Sequence, residues 1–130
     1  MLTFTIEGEP QGKARPRVTR GGKHTYTPKK TKDYQEMVRM LAPKEYFNGP
    51  LEMKIKAYFK IPKSKSNKIK ELMESGDIRP TKKPDFDNIG KIIADALNGI
   101  CYKDDSQIVK GTIEKWYSYQ PRVEVIICKI

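Results

Sequence analysis

Apolar and polar residues alternate along Leu2–Glu7, with Thr and Ile supplying β-branched content, so the chain opens on a strand. The following stretch, Gly8 to Pro28 (GEPQGKARPRVTRGGKHTYTP), has no period and is rich in Gly, Pro and basic residues; it reads as a long irregular arm. From Lys29 to Ala42 the period changes to helical, with Tyr34, Met37, Val38 and Leu41 forming the expected buried stripe and Pro43 ending it. Leu51 to Ile61 alternates again, with lysines on one face. The lysine-rich segment after it holds a short helix over Asn67–Ser75, bounded by Gly76 and Pro80. Asp87 to Leu97 forms a second main helix. Ile108–Tyr119 and Arg122–Ile130 are expected to be an antiparallel pair turning at Gln120 and Pro121. With no internal repeat and no linker, residues 1–130 are one α+β domain, a small mixed sheet of about four strands with two main helices.

On a helical wheel, at about 100° per residue, residues 87 to 100 separate cleanly. Ile89, Ile92, Ile93, Ala96, Leu97 and Ile100 share one face, and Asp87, Lys91, Asp95 and Asn98 share the other. Asp85 stands just before this helix, and Asp104 and Asp105 follow a turn at Asn98 and Gly99. Five aspartates thus fall within residues 82–107 of a chain whose formal net charge is +10.

That charge bounds the function. A pI near 9.6 points to a polyanionic partner, since lysine and arginine gain affinity for phosphates through counterion release; the bland alternative is a soluble surface. No run approaches the roughly 20 apolar residues of a membrane span, and the N-terminus lacks a signal-peptide profile, so a cytoplasmic protein is expected. Cys101 and Cys128 lie in apolar surroundings without CxxC spacing and read as reduced thiols. With His24 the only histidine, a multi-histidine metal site is ruled out and zinc chemistry is not expected.

The plain explanation for Asp85 and Asp87 is helix capping, one accepting backbone N–H bonds and the other complementing the helix dipole. Lys91, four residues on, then makes an ordinary surface pair with Asp87. Capping uses only one side chain, however, and leaves the other carboxylate unexplained. A helix of this length followed by a tight turn returns the chain beside itself, bringing Asp104 or Asp105 towards the Asp85/Asp87 end. Three converging carboxylates repel one another unless a cation joins them. An all-oxygen set suits Mg²⁺ or Mn²⁺, and a hard cation in a basic protein suits phosphodiester cleavage. Lys91 would offset transition-state charge or tune an attacking water. A restriction-type PD-(D/E)xK site is set aside, because Glu114-Lys115 lacks the one-residue separation that motif needs.

Asp85-Phe86-Asp87-Asn88-Ile89-Gly90-Lys91, then Asp95-Ala96-Leu97-Asn98, then Asp104-Asp105-Ser106-Gln107-Ile108-Val109 closely resembles the RusA-type Holliday junction resolvases, small dimeric Mg²⁺-dependent endonucleases. The resemblance covers the whole length. It implies that Asp85, Asp87 and Asp105 are catalytic, metal-binding carboxylates, that Lys91 is the catalytic-site lysine, and that Asp104 ranks below Asp105 as a ligand. It also implies a homodimer acting on four-way junction DNA in recombination and repair, with Mg²⁺ as cofactor and Mn²⁺ as a substitute. Neither a membrane nor a small-molecule substrate is implied. The arm Gly8-x-Pro10-x-x-Lys13-x-Arg15-Pro16-Arg17 is similar to the version in family members from Gram-positive bacteria and their phages.

Within that arm Lys13, Arg15, Arg17, Arg20 and Lys23 are assigned to DNA, since arginine beside stiffening proline and glycine suits a bidentate phosphate grip. His24 and Tyr26 are candidates for base stacking or for packing the arm down. The Lys60–Lys70 run is a phosphate track or a solvated flank. Trp116 and Tyr117 point to opposite faces, one into the core and the other towards a partner, and Asp95 is assigned to the solvated face of its helix. The competing reading is a non-catalytic basic DNA- or RNA-binding module whose aspartates only cap a helix.

Overall fold

Strict alternation makes one strand the centre of the sheet. In β4, Leu51–Lys60, the residues Leu51, Met53, Ile55, Ala57 and Phe59 are buried, while Lys54, Lys56 and Lys60 face solvent. The computed structural model describes residues 1–14, 17, 18, 21, 22 and 25–130, the side chains of 17, 18, 25 and 26 excepted. Around β4 it arranges β1 (Leu2–Glu7), β5 (Ile108–Ser118) and β6 (Arg122–Lys129) in the order β1-β6-β4-β5. β4 runs antiparallel to β6 and parallel to β5, and β1 runs antiparallel to β6. Three helices complete the α+β fold: α1 (Lys29–Leu41), α2 (Asn67–Ser75) and α3 (Phe86–Ala96).

The expected β5–β6 hairpin does not form, because β4 lies between the two strands. A two-residue hairpin needs a primed turn, which Gly, Asn or Asp supplies and Gln-Pro does not. Burial decides the order instead. β6 places Val123, Val125 and Ile127 in the core beside β4, whereas β5 has no fully buried residue and takes the edge. The connection passes the end of β4, where Ile61 N donates to Ser118 O at 3.0 Å and Arg122 Nη1 donates to Gln120 O at 2.8 Å.

Two further expectations change. The arm contains a two-stranded antiparallel ribbon, β2 (Arg17–Val18) paired with β3 (Thr25–Tyr26). The buried stripe of α1 is Thr31, Tyr34, Gln35 and Val38, leaving Met37 and Leu41 exposed. The reason is polar. The Gln35 side-chain amide donates to Ile92 O at 3.2 Å, and Arg39 Nε donates to Ala96 O at 2.8 Å, so α1 turns these groups towards α3. Trp116 is covered by its own chain: the Arg79 guanidinium stacks at 3.4 Å, and Gly76, the αL cap of α2, lies against its ring. Tyr117 packs against the core from the other face.

α3 is held on several sides. Ile89, Ile92, Ile93, Ala96 and Leu97 are fully buried. The chain reverses at Gly99, whose φ of +78° favours glycine, and brings back Tyr102. The buried Tyr102 hydroxyl donates to Ala94 O at 2.6 Å, and burial pushes its pKa far up, so it stays a neutral donor. Cys101 and Cys128 are free thiols. Tyr102→Phe strands a part-buried helix carbonyl and is expected to cost about 1 kcal/mol in denaturant unfolding; a loss under about 0.3 kcal/mol would show the bond is not needed to hold α3.

Candidate active site

With its isoleucine face buried, α3 presents Asp87, Lys91 and Asp95 one turn apart on the opposite side. Asp85 occupies the N-cap position in extended conformation, but its side chain makes no capping hydrogen bond. Asp87 is exposed in the first turn. Capping therefore does not account for Asp85.

Asp104 is the aspartate that caps. Its Oδ2 accepts from Ser106 N at 3.0 Å, at the start of a 3₁₀ turn over Asp105–Gln107, and the Ser106 side chain, with this backbone bond, holds its carboxyl below the usual range. Gln107 completes a capping box. Its Oε1 accepts from Lys103 N at 3.0 Å and Asp104 N at 3.3 Å, while its Nε2 donates to Phe47 O at 3.2 Å and Gly49 O at 3.1 Å. The turn is thus tied to the segment entering β4, which turns Asp105 towards α3.

Asp105 meets the middle of α3 rather than its start. Lys91 Nζ lies 3.1 Å from Asp95 Oδ1 and 3.9 Å from Asp105 Oδ2, and Lys13 Nζ lies 3.6 Å from Asp95 Oδ2. Lys91 thus pairs forward to Asp95, and among the described residues it makes no ion pair with Asp87. Asp95, assigned to solvent from the sequence, is the hub of this network, with its side chain only 20% exposed. The signal was the same i,i+4 spacing, taken in the other direction from Lys91. Lys13 is positioned through its backbone: its N–H donates to Asn88 O at 3.0 Å, beside Gly12, where a Cβ would stand 2.7 Å from Pro84 Cβ. The side chain of Lys13 reaches the candidate site, whereas the side chains of Arg15, Arg17, Arg20 and Lys23 lie outside the described residues, as do His24 and the side chain of Tyr26.

The electrostatics follow. Partial burial and the neighbouring Asp95 raise the Asp105 pKa, Asp104 adds to this, and Lys91 opposes it. The hydrogen bond from Lys91 to Asp95 raises the lysine pKa and keeps it an ammonium. On the far side of Asp85, Lys115 Nζ donates to Lys82 O at 2.5 Å; burial lowers its pKa while the charge of Asp85 raises it.

Asp87, Lys91 and Asp105 line one open cavity of about 360 Å³ between α3 and the β4–β5 seam, and Asp85 stands outside its lining. Among the described residues no group of three or more His, Cys, Asp or Glu side chains is arranged to hold one metal ion. The two carboxylates facing this cavity nevertheless suit Mg²⁺, which takes one or two protein carboxylates and completes its shell with water and substrate phosphate. The crowding that raises the Asp105 pKa is also what a cation relieves.

Residues 7–128 match the family described as "Endodeoxyribonuclease RusA", and the chain belongs to that family. The uncharacterized protein YqaN of Bacillus subtilis (strain 168) is 44% identical over 137 residues, an alignment covering 99% of this chain and 96% of that protein. Among the described residues no helix is long and apolar enough to cross a membrane.

A raised carboxylate pKa in the folded state costs stability above that pKa and nothing below the unfolded value. Asp105→Asn is therefore expected to raise the melting temperature at pH 7, by on the order of 2 °C. The gain should shrink as pH falls through the carboxylate range. A variant less stable than wild type at neutral pH would contradict the crowding.

Proposed function

We propose that this RusA-family endodeoxyribonuclease is a Mg²⁺-dependent Holliday junction resolvase, in which Asp87 and Asp105 hold the metal, Asp85 assists at the helix start and Lys91 supplies positive charge. The observation that carries this reading is the convergence of Asp87, Lys91 and Asp105 on one cavity from two separate elements. Bound there, Mg²⁺ would polarise the scissile phosphate and make hydroxide available near neutral pH.

The protein's own groups have distinct tasks. Lys91, kept protonated by Asp95, serves as a fixed positive charge against the developing phosphorane oxygens and not as a general base. Asp95 in turn holds Lys91 and Lys13 in place from the next turn of α3. Asp104 and Gln107 set the direction of Asp105 and take no direct part. The formal net charge of +10 draws the DNA backbone in, with Arg15, Arg17, Arg20 and Lys23 proposed as phosphate contacts and Lys13 divided between DNA and Asp95.

A homodimer fits the substrate, because a closed two-fold assembly presents two equivalent centres to the two symmetry-related strands of a junction. The competing reading, a binding module whose aspartates cap a helix, is disfavoured by the uncapped Asp85.

On a synthetic four-way junction, Asp87→Asn is expected to lose cleavage by roughly 10³-fold or more while keeping junction affinity, and EDTA should have the same effect on wild type. Lys91→Ala should slow cleavage by about 10²-fold at similar affinity. Wild-type protein that cuts no junction with Mg²⁺, or an Asp87→Asn protein of full activity, would overturn the proposal.

A further inference from the structure

Phosphodiester cleavage uses only the polar end of the cavity, Asp87, Lys91 and Asp105. Its remaining lining is mostly hydrocarbon, from Met53, Ile55, Ile108 and Ile113 beneath to the ring of Phe86 at the side. Phe86 is 61% exposed, stands between the two aspartates on the first turn of α3, and contributes nothing to the core. A phosphate and a hydrated cation have no use for such a wall.

The floor is open because of one residue. Gly111, opposite Met53 in the β4–β5 register, has no positive φ, and a Cβ there would meet nothing nearer than Met53 O at 4.0 Å. Any larger residue at this strand position would project into the space that Gly111 leaves free. An aromatic ring, an apolar floor and a rim that, on the reading above, meets a phosphate through Lys91 and a cation held by Asp87 and Asp105 define a ligand with a flat apolar body joined to an anion. A nucleotide has that form.

Resting on the endonuclease reading above, we infer that this cavity receives one unstacked nucleobase adjoining the scissile phosphate, with Phe86 stacking on its face. Extrusion of a base is least costly where pairing or stacking is already interrupted, and a branch point is such a place. Aromatic stacking is indifferent to base identity, so Phe86 supplies grip and position, and the cavity walls supply any size preference. Seating the base fixes the phosphate at Lys91 and at the cation proposed between Asp87 and Asp105 without a further polar contact. Phe86 is then a substrate-contacting residue of the reaction, and Gly111 is what keeps its subsite open.

A two-by-two cycle tests this. Wild type and Phe86→Ala are compared on an intact junction and on junctions carrying a single abasic nucleotide at each position flanking the cut. Phe86→Ala is expected to lower kcat/KM roughly tenfold or more on the intact junction. On the junction whose abasic position matches the seated base, the two proteins should cut equally. Phe86→Trp should restore activity on the intact junction, and Gly111→Val, which suits a strand, should reproduce the Phe86→Ala pattern by filling the floor. A Phe86→Ala defect undiminished at every abasic position overturns the inference. So does a change in sedimenting mass of Phe86→Ala, which would assign the groove to a second copy of the chain. Failure of wild type to cut any junction instead removes the endonuclease reading itself, and the two failures are thereby told apart.

Discussion

Burial of Ile89, Ile92, Ile93, Ala96 and Leu97 against α1 and the sheet fixes the rotation of α3, and that rotation aims Asp87, Lys91 and Asp95. An eleven-residue helix with a glycine at its centre is marginal alone. Each buried isoleucine contributes about 1.5–3 kcal/mol, so packing supplies what local propensity does not. Gly90 serves the same packing: a Cβ there would stand 2.5 Å from Ile113 Cδ1, so its absence lets the helix approach β5 closely. Gln35, Arg39 and Tyr102 then secure three helix carbonyls, which stops the helix from sliding along its axis.

A helix held in this way can carry an unfavourable polar face. Asp95 accepts two lysines, yet it still presses on Asp105, and Asp104 adds to the pressure from the adjoining turn. A site built for stability alone would not gather these carboxylates. The strain is local because the turn bearing Asp105 is bound through Gln107 to Phe47 and Gly49, at the entry to the central strand.

Much of this is legible in the chain itself, and the exceptions have physical causes. The wheel of residues 87–100 separates the buried face of α3 from its polar rim, because a strongly amphipathic period survives tertiary packing. Asn67–Ser75 is bounded by Ser66 as cap and Gly76 as αL terminus, signals that act over a few residues. The order β6-β4-β5 is not legible: pairing of non-neighbouring strands depends on which strand buries most, a comparison that no single segment contains. The α1 stripe fails similarly, because Gln35 turns inward only when Ile92 O is there to receive it. In the site, the D-x-D and D-D motifs are plain, but the division of labour is not. Asp104 and Asp105 are adjacent and chemically identical, and only the 3₁₀ turn makes one a cap and leaves the other facing the cavity. Asp95 passes for a surface residue until Lys13 arrives from the arm, 82 positions earlier in the chain by number (95 − 13).

The divalent cation proposed between Asp87 and Asp105 can be located by replacing Mg²⁺ with Fe²⁺, generating hydroxyl radicals with ascorbate and peroxide, and mapping where the protein's own backbone is cut. Cleavage confined to the segments around residues 86–91 and 104–106, suppressed by excess Mg²⁺ and lost in Asp87→Asn, is the predicted result. Diffuse cleavage, or cleavage concentrated elsewhere and unaffected by Mg²⁺, would contradict it.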